Sequence, residues 1–542
     1  MAKFPLSISS FLFLLFSHAF VSTPSTSDLI LLDNDSVNRF VNLVVEVCKG
    51  NDVQGSCQTR LTELTMMASS LSERRRLELL NTFLKHSVWR MEIVVSVLKD
   101  VRLGSLGVRE YADLVDCEQM MDWAKEGILS STEELKGANP ILESSFVNVH
   151  TWLSGVLTSY TTCFDWISNG ITKGRVESEL EDLISRARVA LAIVVSITPA
   201  ADLKMVVPST DGFPSWLTNL DSTEVLKSKA NLVVAKDGTG DYKTVVEAVA
   251  AAPMNSKIQF IIHVKKGVYS EIVQIGSTKT NITIVGDGGE ATVLTGSLNY
   301  QDGVKTFDSA TLAVDGLGFM AQDIVIENTA GPAKGQAVAV RVSADLSVFH
   351  RCRIDGYQDT LYAHRNRQFY RDCIITGTID FICGDAAAVF QYCRIVAKKP
   401  LPGQANVITA QSREYANLNS GFSLQKCNIT GSPDLAPVKA TVKTYLGRPW
   451  KPYSRVVVLQ SFIDDHIDPA GWAPWKGEIG LSTLFYGEYE NKGPGANTNN
   501  RVSWKGFKVI TDTKEAANYT VAIILHDEMW LKSTGVPFEN GL

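Results

Sequence analysis

At 542 residues the chain exceeds what one compact core organises, so two or more domains are expected. Apolar residues make up 45% and charged residues 20% of it, the balance of a chain that folds around a core rather than staying disordered. The net charge is −6 and no basic run occurs, which argues against a nucleic-acid partner.

Lys3 precedes the apolar run from Ile8 to Val21, and the polar stretch STPSTS follows. A charged start, a short apolar centre and a polar exit predict a signal peptide over residues 1–22, and hence a secreted, extracellular protein. No later segment approaches the ~20 apolar residues of a membrane span. Nine cysteines suit an oxidising compartment, and the odd count leaves at least one thiol over. Asn34, Asn281, Asn428 and Asn518 each open a glycosylation sequon.

Residues 28–200 are patterned for helices. RRRLELLNTFLKHSVWRMEIVVSVLKDV and VESELEDLISRARVALAIVVSI space apolar residues at three and four, and Gly and Pro are sparse. This predicts an all-α helix bundle. It holds Cys48, Cys57, Cys117 and Cys163, an even number whose connectivity the spacing alone leaves open.

Residues 201–230, with Pro208, Gly212 and Pro214, lack periodicity and read as a linker. Beyond them, residues 231–542 turn to short β-branched runs separated by Gly, Asn and Asp, such as NITIVGDG and DIVIENT. A bulky apolar residue, a Cys three positions on and an Ile two positions further recur at Phe349-Cys352-Ile354, Tyr370-Cys373-Ile375, Phe390-Cys393-Ile395 and Leu424-Cys427-Ile429. The cysteines lie 21, 20 and 34 residues apart. A period near 20 with strand-forming residues predicts stacked coils, and an all-β parallel β-helix is the simplest form. No leucine ladder supports a leucine-rich repeat, and a propeller would repeat at about twice this length.

In such a stack, equivalent positions on adjacent coils lie about 4.8 Å apart. Asp359 follows Cys352 by seven residues and Asp380 follows Cys373 by seven, so an unbroken register sets the two carboxylates side by side. Two such groups do not both ionise freely, which supplies a proton donor and a nucleophile in one place. Turn aspartates of no chemical consequence would give the same spacing. Gln358 and Gln336 bring amide donors for developing negative charge. The block YLGRPWK brings Arg448, able to grip a carboxylate, and Trp450, able to stack on a sugar face. No G-x-S-x-G or H-E-x-x-H motif occurs, and the eight histidines show no ligand spacing, so neither metal nor cofactor is expected. Paired aspartates on this scaffold also suit a polygalacturonase-like glycosidase, and a non-catalytic binding protein is the second alternative.

Taken together, GQAVAVR, GYQDTLY, GTIDFICG and YLGRPWK, with GVYSE upstream, resemble the signature blocks of plant pectin methylesterases over residues 231–542. Cys48 and Cys57, DCEQM, and WLSGVLTSYTTC ending at Cys163 resemble the pectin methylesterase inhibitor family over residues 28–200. The resemblance implies a right-handed parallel β-helix that hydrolyses methyl esters of cell-wall homogalacturonan. It implies Asp380 as nucleophile, Asp359 as acid and then base, and Gln336 and Gln358 at the oxyanion. Arg448 would hold Asp380 or substrate, Trp450 would line the groove, and Thr306 in KTFDSAT matches a substrate-contact position. It further implies the disulfides Cys48–Cys57, Cys117–Cys163 and Cys373–Cys393, and the helical half as an intramolecular inhibitor. Three departures stand out: Cys383 replaces a phenylalanine, Asp385 replaces an asparagine and is expected to raise the pair's pKa values if near, and DSTEVLKSK replaces a dibasic processing signal.

Overall fold

The computed structural model describes residues 63, 64, 66, 68, 71–105, 107–136, 141, 143–167, 170–197, 222–288, 290–526 and 530–542. The expected signal peptide, Cys48, Cys57, the Asn34 sequon and most of the expected linker lie outside the described residues.

Among the described residues of the first half are four long helices: α1 (Glu73–Leu103), α2 (Val108–Glu134), α3 (Glu143–Trp166) and α4 (Ile171–Ile197). α1 buries Leu80, Phe83, Leu84, Met91, Val94 and Leu98, the three- and four-residue stripe that its sequence displays. α3 differs. It is buried almost all round from Val147 to Cys163, because one side packs in the bundle and the other against the second half. Cys117 of α2 and Cys163 of α3 form a disulfide with Cα atoms 4.9 Å apart.

Among the described residues the second half is a solenoid of three parallel sheets of eleven, seven and eight strands, in which neighbours within a sheet come from successive coils. Ile326, Ile354, Ile375, Ile395, Ile429 and Ile463 stack in one register down the eight-stranded sheet. Beside them the rings of Phe349, Tyr370 and Phe390 stack at 5.2 and 4.7 Å. Each coil turns its first corner through a left-handed residue just ahead of the Cys column: Arg351, Asp372, Tyr392 and Lys426 have φ of 51–57°.

The column itself holds free thiols. Cys352, Cys373, Cys393 and Cys427 are buried and unpaired. The Cys373–Cys393 disulfide implied by resemblance is therefore not formed in this structure. Each thiol instead points back at the preceding coil, Cys373 donating to Phe349 O and Cys393 to Tyr370 O, both at 3.3 Å. Cys383 is likewise a free buried thiol.

The segment read as linker includes a helix. Ser222–Ser228 is a short helix whose buried Thr223 bonds Asp323, while Arg351 grips the same Asp323 at 2.7 Å. Truncating a stacked core ring leaves a cavity that the coils cannot close, so Phe390→Ala is expected to cost about 3–5 kcal/mol. A denaturant titration of the solenoid's unfolding transition checks this.

Candidate active site

The corner between the eight- and seven-stranded sheets carries both aspartates. Asp359 and Asp380 adopt left-handed backbone, with φ of 60° and 51°, a conformation that Asp tolerates better than most residues. A glycine three positions earlier permits each tight entry. A Cβ on Gly377 would lie 2.2 Å from Phe381 Cβ, and one on Gly356 2.8 Å from Thr360 Oγ1.

The two corners are zipped together by main-chain bonds. Thr378 N–H donates to Tyr357 O (2.8 Å), Asp359 N–H to Ile379 O (3.0 Å) and Leu361 N–H to Phe381 O (2.9 Å). Leu361 pairs with Ile382, so the 21-residue offset of the cysteines persists through the aspartates. Gln336 and Gln358 are bridged in the same way one coil earlier. The expected adjacency of Gln336, Gln358, Asp359 and Asp380 is present.

Arg448 follows the strand Thr444–Gly447 and forks onto Asp380, with Nε–Oδ1 2.8 Å and Nη2–Oδ2 2.6 Å. Its guanidinium lies 4.3 Å from the Trp475 ring centroid, and Trp475 stacks on Trp450 at 6.2 Å. Trp450 also meets Tyr362, which meets Phe307 in the turn Thr306–Ser309. Thr306 thus opens the turn on the rim that Trp450 helps build. Trp475 and Tyr362 escaped the sequence reading. Trp475 lies in a loop 27 residues beyond Arg448 and belongs to no repeat.

Burial, then the neighbouring Asp380 charge, hold Asp359 well above the ordinary carboxylate range. Burial also raises Asp380, but both oxygens accept from Arg448, which opposes the rise. Asp380 therefore ionises first and Asp359 keeps its proton. Asp385 plays no part in this asymmetry. It lies under α3, accepting from Thr158 (2.7 Å), Ser420 (2.5 Å) and Gln411 (3.2 Å), and the expected effect on the pair is absent.

The helical half lies on this rim. Trp166 of α3 meets Phe307 at 4.5 Å, Trp123 of α2 meets it at 6.2 Å, and Thr162 bonds His364 at 3.1 Å. One apolar cluster runs from the bundle core through Phe307, Tyr362 and Leu418. Trp152 donates to Asp345 and His150 bonds Asn417 O, extending the contact along α3.

Residues 231–528 match the Pectinesterase family, more than half of the chain. The chain belongs to the pectinesterase family. Residues 42–193 match the Plant invertase/pectin methylesterase inhibitor family. The chain is 56% identical to Pectinesterase/pectinesterase inhibitor 18 of Arabidopsis thaliana, over 99% of this chain and 96% of that protein. It is 47% identical to Pectinesterase 2.1 of Solanum lycopersicum, over 92% and 90% respectively. Among solved structures, pectin methylesterase from carrot aligns with a TM-score of 0.57 at 55% identity, covering 58% of this chain and 98% of that one. This pectinesterase is accordingly a carboxylic ester hydrolase rather than a glycosidase. Among the described residues no helix is long and apolar enough to cross a membrane.

Asp385 gives a pH signature. Burial raises it to about 7 from 3.8, with Ser420, Thr158 and Arg413 opposing and Glu414 adding to the rise. A raised folded-state pKa means that stability is fully present below the unfolded value and is lost as pH rises through the folded one. The interfacial His150, lowered by burial to about 4, acts in the opposite sense, so the comparison must isolate Asp385. Asp385→Asn is expected to match wild type near pH 4 and to gain in melting temperature up to about pH 7, where the gain levels off. Thermal unfolding across that range checks it.

Proposed function

We propose that this pectinesterase demethylates methyl-esterified homogalacturonan, releasing methanol and leaving pectate. The single observation that carries the reading is the Asp359–Asp380 corner pair with Arg448 forked onto Asp380 alone. Arg448 holds Asp380 as the anion, and it attacks the ester carbonyl carbon. The Gln336 and Gln358 amides donate to the oxyanion that forms. The intermediate collapses, the C–O bond to the methoxy group breaks, and Asp359 gives its proton so that methanol departs. Asp359, now a carboxylate, takes a proton from water, and the resulting hydroxide cleaves the acyl-enzyme anhydride and frees Asp380. That proton leaves Asp359 ready as the acid of the next cycle, and the new galacturonic acid loses its own proton to solvent. Trp450, with Trp475, offers a ring platform for a sugar face, and Thr306 contacts substrate on the same rim.

The site of action is the cell wall, reached by secretion through the N-terminal signal. The exposed Asn428 and Asn518 are the described sequons open to glycosylation, whereas Asn281 is partly buried and donates to Ser256 O. The helical half acts as an inhibitor in cis. Its support is the placement of Trp123 and Trp166 against Phe307, beside Thr306.

Replacing Asp380 by Ala is expected to lower methanol release from esterified pectin by ~10³-fold or more, with the melting temperature little changed. Substantial residual activity would contradict the assignment. Gln358→Ala removes one oxyanion donor and is expected to lower kcat by about 10²-fold. The same methanol assay reads it.

A further inference from the structure

Two lysines each stand next in sequence to a residue assigned to the groove. Lys305 precedes Thr306 and Lys451 follows Trp450. Both are largely covered, at 16% and 23% exposure, and both are closed by acids of the helical half. Asp113 of α2 lies 3.0 Å from Lys305, and Asp116 of the same helix bonds it too. Asp165 of α3 lies 2.7 Å from Lys451, which has Glu414 of its own half 3.5 Å away. Beside Lys451 a polar cavity of about 460 Å³ opens between the halves, lined by Asp165, Glu181, Arg188 and Glu414 among others.

The arrangement is selective. Both lysines meet a carboxylate presented from α2 or α3. The carboxylates around Lys305 are more numerous than one ammonium can neutralise. Asp116 is raised to about 6, first by burial and then by Asp308, so the helical half presses acid against acid there. Packing alone gives no reason for such crowding, which costs solvation on every group. It follows directly if the lysines are built to receive carboxylates.

A partly de-esterified galacturonan carries one free carboxylate on each hydrolysed sugar, next to the esters still to be cut. We propose that Lys305 and Lys451 are carboxylate subsites of the groove, reading de-esterified galacturonosyl residues near the reacting ester. Asp113 and Asp116 at Lys305, and Asp165 at Lys451, occupy those subsites as surrogates when the helical half is docked. The proposal rests on the reading of the corner as a pectin methylesterase site. It adds that the enzyme's own product and its helical half compete for the same two cations.

The probe is fully de-esterified hexagalacturonate, titrated calorimetrically into the full chain. Neutralising the surrogates with D113N/D116N/D165N is expected to tighten hexagalacturonate binding about tenfold or more, the scale of a charged hydrogen bond. Adding K305Q/K451Q to that variant is expected to abolish the gain. No gain in a variant that melts with wild type, or a gain that survives loss of both lysines, overturns the proposal. Should the triple variant fold poorly, D165N alone keeps the test decisive, since Asp165 is 41% exposed and its amide is readily accommodated. It is expected to bind about threefold tighter, a gain cancelled by K451Q, and no change would count against the proposal. Methanol release from fully esterified pectin reads the underlying reaction separately, so failure of one does not mimic failure of the other.

Discussion

Main-chain pairing between two successive coils governs everything at the active corner. Three hydrogen bonds join residues 357–361 to 378–381, and they hold two left-handed aspartates in equivalent places on adjacent coils. Nothing in the side chains alone would keep two carboxyls together in a low-dielectric corner, since their mutual repulsion and desolvation both oppose it. The solenoid supplies the restraint. Its stacked isoleucines and aromatic rings fix the register that the corner inherits.

Arg448 converts that restraint into chemistry by breaking the symmetry of the pair. Its planar fork satisfies both oxygens of Asp380 and leaves Asp359 without an equivalent cation, so one carboxyl is biased to the anion and the other keeps its proton. The guanidinium is in turn backed by Trp475, which stacks on Trp450. The same aromatic wall therefore serves the charge pair and the surface on which a sugar would lie. On the same rim, α2 and α3 place Trp123 and Trp166 on Phe307, so the element next to Thr306 is also the element that the helical half covers.

Much of this was legible in the chain because repeats print their geometry. The Cys and Ile spacings announced coils, and counting seven residues forward placed Asp359 beside Asp380, which the pairing of Leu361 with Ile382 reproduces. The helical pattern around Phe83 and Met91 was equally readable. What escaped lacks periodicity. Trp475 reaches the site from an irregular loop, and the helix Ser222–Ser228 is too short to stand out from a linker. The thiols of Cys373 and Cys393 share a column, yet each points along it toward a carbonyl, an orientation that spacing does not encode. Asp385 looked like a neighbour of the pair because it is five residues away, but the strand Ile382–Gly384 carries it past the corner to the underside of α3.

The central claim is the unequal protonation of two stacked carboxyls. Isotope-edited infrared titration of the full-length chain, with Asp359→Asn and Asp380→Asn to assign the bands, tests it most directly. The account predicts that, at a pH where an exposed aspartate is already ionised, one carboxyl of the pair still shows the protonated carbonyl stretch, that this band is lost in Asp359→Asn, and that the anion band of the pair belongs to Asp380. Two carboxylates both ionised at about pH 5, titrating independently as exposed aspartates do, would contradict it.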